Sequence, residues 1–228
     1  MDVEAFAEHV GVSFRDISIL KQAFTHRSYL NEHRTSPVAH NERLEFLGDA
    51  ILELVVTEYL FKKFPAKNEG ELTAYRSALV NTNTLSMVAD SLEMNKYLLL
   101  SRGERKDTGR ARQFILANTF EAVVGAMYLD AGFDTVSKFI ATFLLTYTDT
   151  VIENRLWQDA KSRFQEVAQE KASITPTYSL VEETGPDHDK QFTVAVCLHN
   201  EKIAEGAGKS KQEAEQDAAR NALDAKGW

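Results

Sequence analysis

The sequence predicts an all-α N-terminal domain followed by a small α+β domain of order α-β-β-β-α. Through about residue 153, apolar residues recur at three- and four-residue spacing, as on one face of a helix. Beyond it, T-Y-S-L-V-E-E-T (177–184), Q-F-T-V-A-V-C-L-H (191–199) and K-I-A-E-G-A-G (202–208) read as strands, the second alternating strongly. Two amphipathic helical segments, 159–172 and 209–223, bracket these strands. That order suggests a helix pair packed on one face of an antiparallel sheet. The linker near Leu156–Trp157 holds no Pro or Gly run, and it sets the expected domain limits at 1–153 and 157–226.

The 228 residues, 43% of them hydrophobic, suffice for two modest cores. No run approaches 18 apolar residues without a charge, so no transmembrane helix is expected. The N-terminus, M-D-V-E-A-F-A-E-H-V, is acidic and amphipathic, unlike a secretory signal. The single cysteine, Cys197, excludes an intrachain disulfide and reads as a strand residue. A cytoplasmic location is expected. The net charge is −8 and neither half carries a basic excess, so a polyanionic partner would have to be met by local basic clusters.

In chain order, helices are predicted at 2–10 and 15–24, broken at Gly11–Val12–Ser13, then a polar loop at 31–40 containing Pro37. A long helix begins at His40 and runs to about Phe64, where Pro65 stops it. Helices at 71–81 and 82–93 follow. The segment 98–112 is a basic loop holding Arg102, Arg105, Lys106, Arg110 and Arg112, suited to a phosphate. Helices at 113–129 and about 134–153 complete the domain. His26, Arg27 and Arg76 are candidate phosphate contacts, although each reads equally well as an ordinary polar group on a helix.

Two of these helices carry chemistry. In H-N-E-R-L-E-F-L-G-D-A-I-L-E-L (40–54), Glu42, Glu45 and Asp49 sit at i, i+3 and i+7, within roughly 60° of one another around the axis. Three acids beside a core repel one another and resist desolvation. In Q-F-I-L-A-N-T-F-E-A-V-V-G-A-M-Y-L (113–129) the sole charge is Glu121, with Asn118 one turn earlier on the same face. Taken singly, such an acid reads equally as half of a buried ion pair. Taken together, Glu45, Asp49, Asn118 and Glu121 can pool into an oxygen-rich pocket of the kind hard Mg²⁺ or Mn²⁺ prefers.

N-E-R-L-E-F-L-G-D-A (41–50) is very similar to the signature of ribonuclease III, and I-L-A-N-T-F-E-A-V-V-G-A-M-Y-L-D (115–130) resembles that family's second acidic motif. The resemblance implies an all-α endonuclease domain that hydrolyses phosphodiester bonds of double-stranded RNA with Mg²⁺, Mn²⁺ being able to substitute. It places Glu45, Asp49 and Glu121 on the metal-binding acids, Asp49 and Glu121 on the catalytic ones, and Glu42 at the cleft edge. It also implies a homodimer in which each protomer cuts one strand, with Phe46 at the dimer contact; a core phenylalanine is the other reading of that residue. Products would carry 5′-phosphates and short 3′ overhangs, and structured rRNA and mRNA precursors would be substrates. Asn118 departs from the pattern, since an Asp is usual there. That departure favours an alternative: a protein of this fold that binds double-stranded RNA without cutting it.

The C-terminal half resembles the double-stranded RNA-binding domain, through G-x-G-K-S-K-x-x-A-E-x-x-A-A (206–219) and K-S-x-x-Q-E (161–166). Lys209, Ser210 and Lys211 lie at a helix N-terminus, where amides, dipole and ammonium groups meet one phosphate backbone. The resemblance has them span the major groove, with Gln165, Glu166 and Gln169 directed to one minor groove and His188 to the next. Such a domain spans about 16 base pairs and reads shape more than sequence. Gln212 stands where the family often has a further basic residue.

Overall fold

The computed structural model describes residues 2–106, 108–153, 157, 159–186 and 190–228. The chain divides into two compact units, Met1–Trp157 and Gln158–Trp228.

The first unit is built from helices, with one isolated bridge pairing Thr25 and Leu99 among the described residues. Helices α1 (Val3–His9) and α2 (Ile17–Ala23) each begin at an aspartate, Asp2 and Asp16, whose carboxylate accepts a first-turn amide N–H. Helix α3 (Arg27–Glu32) precedes the polar loop. Then come α4 (Glu42–Lys63), α5 (Glu69–Leu79) with an Asn68–Glu71 capping box, and α6 (Thr82–Ser91), capped by Asn81. The basic segment is not all loop: Arg102–Lys106 forms a short helix, α7. The Arg102 amide donates to Glu32 at 3.2 Å and the Glu104 amide to the Ser101 hydroxyl at 3.2 Å, so side chains offset the open first turn. Helix α8 spans Arg110–Ala131. The expected single helix at 134–153 is interrupted. Helix α9 (Phe133–Phe143) and helix α10 (Thr148–Glu153) are joined by a 3-10 turn at Leu145–Tyr147, which buries both Leu144 and Leu145.

The central pair is α4 and α8. Leu44, Leu52 and Val56 on one, and Phe120, Val123 and Met127 on the other, are buried in a common core. Their backbones touch where each carries a glycine. A Cβ on Gly48 would stand 1.7 Å from the Glu121 carbonyl oxygen, and one on Gly125 would stand 2.3 Å from the Leu44 carbonyl oxygen. Helix α8 is long and apolar enough by composition to cross a membrane, but most of it is buried in this core. Its C-terminal end is tied to the start of α2: the Asp130 carboxylate accepts from the Arg15 and Asp16 amides at 2.7 and 2.8 Å.

In the second unit, α11 (Ala160–Ala172) and α12 (Lys211–Lys226) pack on a three-stranded antiparallel sheet of order β1 (Thr177–Thr184), β2 (Gln191–Leu198), β3 (Glu201–Gly208). The turn between β2 and β3 is His199–Asn200, one residue earlier than Asn200–Glu201, because His199 takes a left-handed φ of 52°. Phe164, Val196 and the Ala218, Ala219 and Ala222 face of α12 make a separate core. Here too glycines set the spacing. A Cβ on Gly206 would stand 2.0 Å from the Ala218 amide nitrogen, so the strand G-x-G and the alanine-rich helix form a single packing device. Cys197 is half-buried in β2.

Candidate active site and nucleic-acid interface

The glycine contact between α4 and α8 determines which side chains meet beside it. Glu45 is half-buried. Burial and the charges of Glu42 and Asp49 raise its carboxyl above the ordinary value, while a side-chain hydrogen bond from Asn118 opposes the rise. The Asn118 side-chain amide thus approaches Glu45 from α8. Glu121 is more enclosed. Burial first, then the charges of Asp49 and Glu45, push its carboxyl up to about 8. No lysine, arginine or histidine stands in ion-pair range of it among the described residues. The buried-ion-pair reading of Glu121 thus has no partner. Asp49 is exposed.

Among the described residues, no three His, Cys, Asp or Glu side chains converge as closely as a bound metal would require. The chemistry of the cluster fits a hard divalent ion: three carboxylates and one amide oxygen, with uncompensated negative charge partly withdrawn from water.

Glu42 is exposed and faces two basic side chains: Arg27 Nη1 lies 3.3 Å from it and His40 Nδ1 3.7 Å. Arg27 is thus engaged by Glu42. The start of α4 is held by Asn41, which sequence reasoning passed over. Its side chain is buried and donates to the Ala23 carbonyl at 3.2 Å, and its backbone N–H donates to the Thr25 carbonyl at 2.9 Å. Arg112 is likewise built into the fold, its guanidinium donating to Asn95 and to the Glu104 carbonyl. Arg76 donates to the Thr57 hydroxyl at 3.1 Å. Phe46 is 82% exposed, which removes the core reading of that residue. With Leu54 and Phe61 it leaves an apolar outer face on α4.

In the second unit, Ser210 is the N-cap of α12 and accepts from the Glu213 amide at 3.1 Å. Lys209 and Lys211 flank it and are exposed, with the Lys211 ammonium 6.0 Å from the centre of the Phe192 ring. A Cβ on Gly208 would stand 2.5 Å from the Glu213 Cβ, so a bare glycine lets the basic turn sit tightly between β3 and α12. Gln165, Glu166 and Gln169 line a shallow open depression on α11. His188 lies outside the described residues.

A helical unit with an acid cluster at its central helix crossing is thus followed in the chain by a sheet-and-helix unit presenting a basic helix N-terminus. The ribonuclease-III-like family model matches residues 16–148, and the double-stranded RNA binding motif matches residues 160–225. The chain is 46% identical over 221 residues to Ribonuclease 3 of Nitratiruptor sp., covering 97% of this chain and 95% of that one. It is 44% identical over 224 residues to Ribonuclease 3 of Oceanobacillus iheyensis, covering 98% of each. The first unit resembles the solved nuclease domain of ribonuclease III from Campylobacter jejuni at 37% identity and a TM-score of 0.57, covering 62% of this chain and 95% of that domain. This chain belongs to the ribonuclease III family, and its activity is metal-dependent endonucleolytic cleavage of double-stranded RNA.

Proposed function

We propose that Glu45, Asp49, Glu121 and the Asn118 carbonyl hold one or two Mg²⁺ ions, with Mn²⁺ able to replace them, and that Asp49 and Glu121 are the catalytic acids. The observation that carries this reading is the backbone contact of Gly48 and Gly125, which brings two helices' acids together around a Glu121 that has no cation of its own among the described residues. What a divalent ion supplies at such a site is a water of lowered pKa and neutralisation of the charge that builds on the leaving oxygen. The chain's own part is to fix the geometry. Asn41 anchors the start of α4, Arg27 restrains Glu42 at the cleft edge, and the neutral Asn118 amide beside Glu45 partly offsets the repulsion that raises its carboxyl. Retention of Glu45, Asp49 and Glu121 speaks against the non-cleaving alternative.

Binding in this reading comes from the second unit: Lys209, Ser210 and Lys211 on the phosphates of the major groove, Gln165, Glu166 and Gln169 in a minor groove, and His188 in the next. In this reading residues 1–153 are the catalytic domain and residues 157–226 the double-stranded RNA-binding domain. The exposed Phe46, Leu54 and Phe61 of α4 are the natural contact of a symmetric homodimer. In it each protomer cuts one strand, leaving 5′-phosphates and short 3′ overhangs. The solved relative from Campylobacter jejuni is described as having a region involved in dimer formation, which supports this assembly. Processing of structured rRNA and mRNA precursors in the cytoplasm follows as the setting.

The test is cleavage of a long perfect RNA duplex with Mg²⁺, beside a chelated control and an Asn118→Asp variant. Wild type is expected to shorten the duplex only with metal, and an intact but gel-retarded duplex would defeat the catalytic assignment. The added carboxylate in Asn118→Asp replaces a neutral amide beside Glu45 with a like charge. The variant should bind Mg²⁺ more tightly and cut at lower metal concentration, yet be less stable than wild type when metal-free. Its Mg²⁺ titration and its melting with chelator check both halves.

Lysine substitution tests the binding face separately. Lys209→Gln and Lys211→Gln should each weaken duplex binding about 5- to 10-fold and lower the slope of log affinity against log salt by about 1. Filter binding across a salt series, with metal chelated, reads both quantities.

A further inference from the structure

One aromatic residue on the acid-bearing face of α8 is not used by the site described above. Phe114 stands four residues before Asn118 and seven before Glu121. At about 100° per residue it points within roughly 40° of both. It therefore extends their face toward the start of the helix, about 6 Å along the axis from Asn118 and about 10 Å from Glu121. The three residues after it, Ile115, Leu116 and Ala117, are buried, whereas Phe114 is 46% exposed. The Arg110 guanidinium, one turn earlier on the same face, lies 5.9 Å from the centre of its ring.

A lone exposed phenylalanine needs no explanation. This one is distinguished by its face and its companion. Arg110, Phe114, Asn118 and Glu121 form a continuous row: a cation, an aromatic ring, an amide and the half-buried acid. An aromatic ring beside an arginine offers a stacking platform for a nucleobase. In a perfect duplex that platform has nothing to receive, because paired bases keep their faces within the stack and show only edges and 2′-hydroxyls in the minor groove. An unpaired base has a free face.

We propose that Phe114, with Arg110 against its ring, stacks an unpaired base two to three base-pair steps from the phosphate being cut, and so directs cleavage toward duplexes interrupted at that offset. The offset takes the duplex to run along α8, so that 6–10 Å spans roughly two to three steps of the more compact A-form helix. The proposal rests on the acid cluster being the cleavage site.

The experiment compares a perfect duplex with duplexes carrying a single unpaired adenine two, three or eight steps from the cut. Wild type, Phe114→Leu and Phe114→Trp are assayed, and the reading is the ratio of kcat/KM for interrupted over perfect duplex. Stacking of ordinary strength gives wild type a preference of about 5- to 10-fold at two or three steps and none at eight. Phe114→Leu keeps apolar volume but loses the π-face, so the ratio should fall to near 1, and Phe114→Trp should restore it. A second reading places 2-aminopurine at the unpaired position, with metal chelated. Its fluorescence should be quenched on binding wild type or Phe114→Trp, and much less on binding Phe114→Leu. Equal ratios, or equal quenching, in wild type and Phe114→Leu overturn the proposal. A wild-type protein that cuts every duplex at the same rate overturns this proposal alone; one that cuts no duplex defeats the catalytic reading, and this proposal with it.

Discussion

Gly48→Ala should unfold or severely destabilise the nuclease unit, and in whatever fraction folds it should cost more activity than stability. The added methyl would stand 1.7 Å from the Glu121 carbonyl oxygen and 2.9 Å from the Gly125 amide nitrogen. Both are backbone atoms, so no side chain can turn aside. The helices must separate along the contact that carries the core residues Leu44, Leu52, Phe120 and Val123. Overpacking of this severity costs about 3 kcal/mol or more, or a fall in melting temperature of about 6–12 °C for a chain of this size. The same displacement moves Glu45 and Asp49 away from Glu121 and Asn118, and a shift of about 1 Å at a reacting centre can cost about 10²-fold in rate. Melting followed by circular dichroism, with cleavage assayed at a temperature where the variant is folded, reads the two effects apart. Gly103→Ala is the control. Its methyl would meet only the Ser101 hydroxyl at 3.8 Å, within a helix where alanine is the better former, so it should be neutral or slightly stabilising. Equal effects of the two substitutions would show that the crossing does not set the site.

That crossing marks where the sequence stops being sufficient. The acids were legible because their spacing on a helix is a one-dimensional fact: Glu42, Glu45 and Asp49 share a face on any α-helix. The contact of Gly48 with Gly125 was not, since it joins positions 77 residues apart. Its only local sign is a glycine inside each apolar helix, which costs helix stability and so points to a packing reason. Asn41 was missed for a similar cause. It looks like an N-cap, yet its side chain makes no cap hydrogen bond and is spent on the Ala23 carbonyl, eighteen residues back. Arg112 was read as part of a basic loop, whereas a carbonyl and an amide across the fold engage it. Composition shows that a charge exists, but only tertiary contact shows whether it is already spoken for. Phe46 went the other way. Its place in a helix rich in buried leucine allowed a core reading, and the chain exposes it instead. In the second unit, G-x-G and the alanine run were legible as a motif. Their physical basis, a strand and helix in backbone contact at Gly206 and Ala218, becomes visible only in three dimensions.

Glu121→Gln should lower duplex cleavage by at least about 10²- to 10³-fold while leaving duplex binding within about twofold, because the lysines of the second unit do not depend on it. The substitution should also change how stability responds to pH. In the metal-free folded chain the Glu121 carboxyl titrates at about 8, against an ordinary value of 4.5. Between those values the folded state holds a proton that the unfolded state has released. Stability is therefore highest below about pH 4.5 as far as this group is concerned, and falls as pH rises toward 8. Glu45, raised in the same direction, adds to the slope. Allowing for the partial exposure of Glu121 and its coupling to Asp49 and Glu45, the loss is about 2 kcal/mol, or about 4–8 °C in melting temperature. Glutamine carries no charge at any pH, so Glu121→Gln should flatten most of this slope and, above pH 7, melt higher than wild type in chelator. Saturating Mg²⁺ should reverse the order, since it stabilises the form with the acids ionised and has less to bind in the variant. Thermal melts of both proteins from pH 5 to 8.5, with and without Mg²⁺, check the crossing. If the variant is less stable than wild type at high pH without metal, Glu121 is held by an interaction other than a divalent cation, and its assignment as a ligand fails even where cleavage is lost.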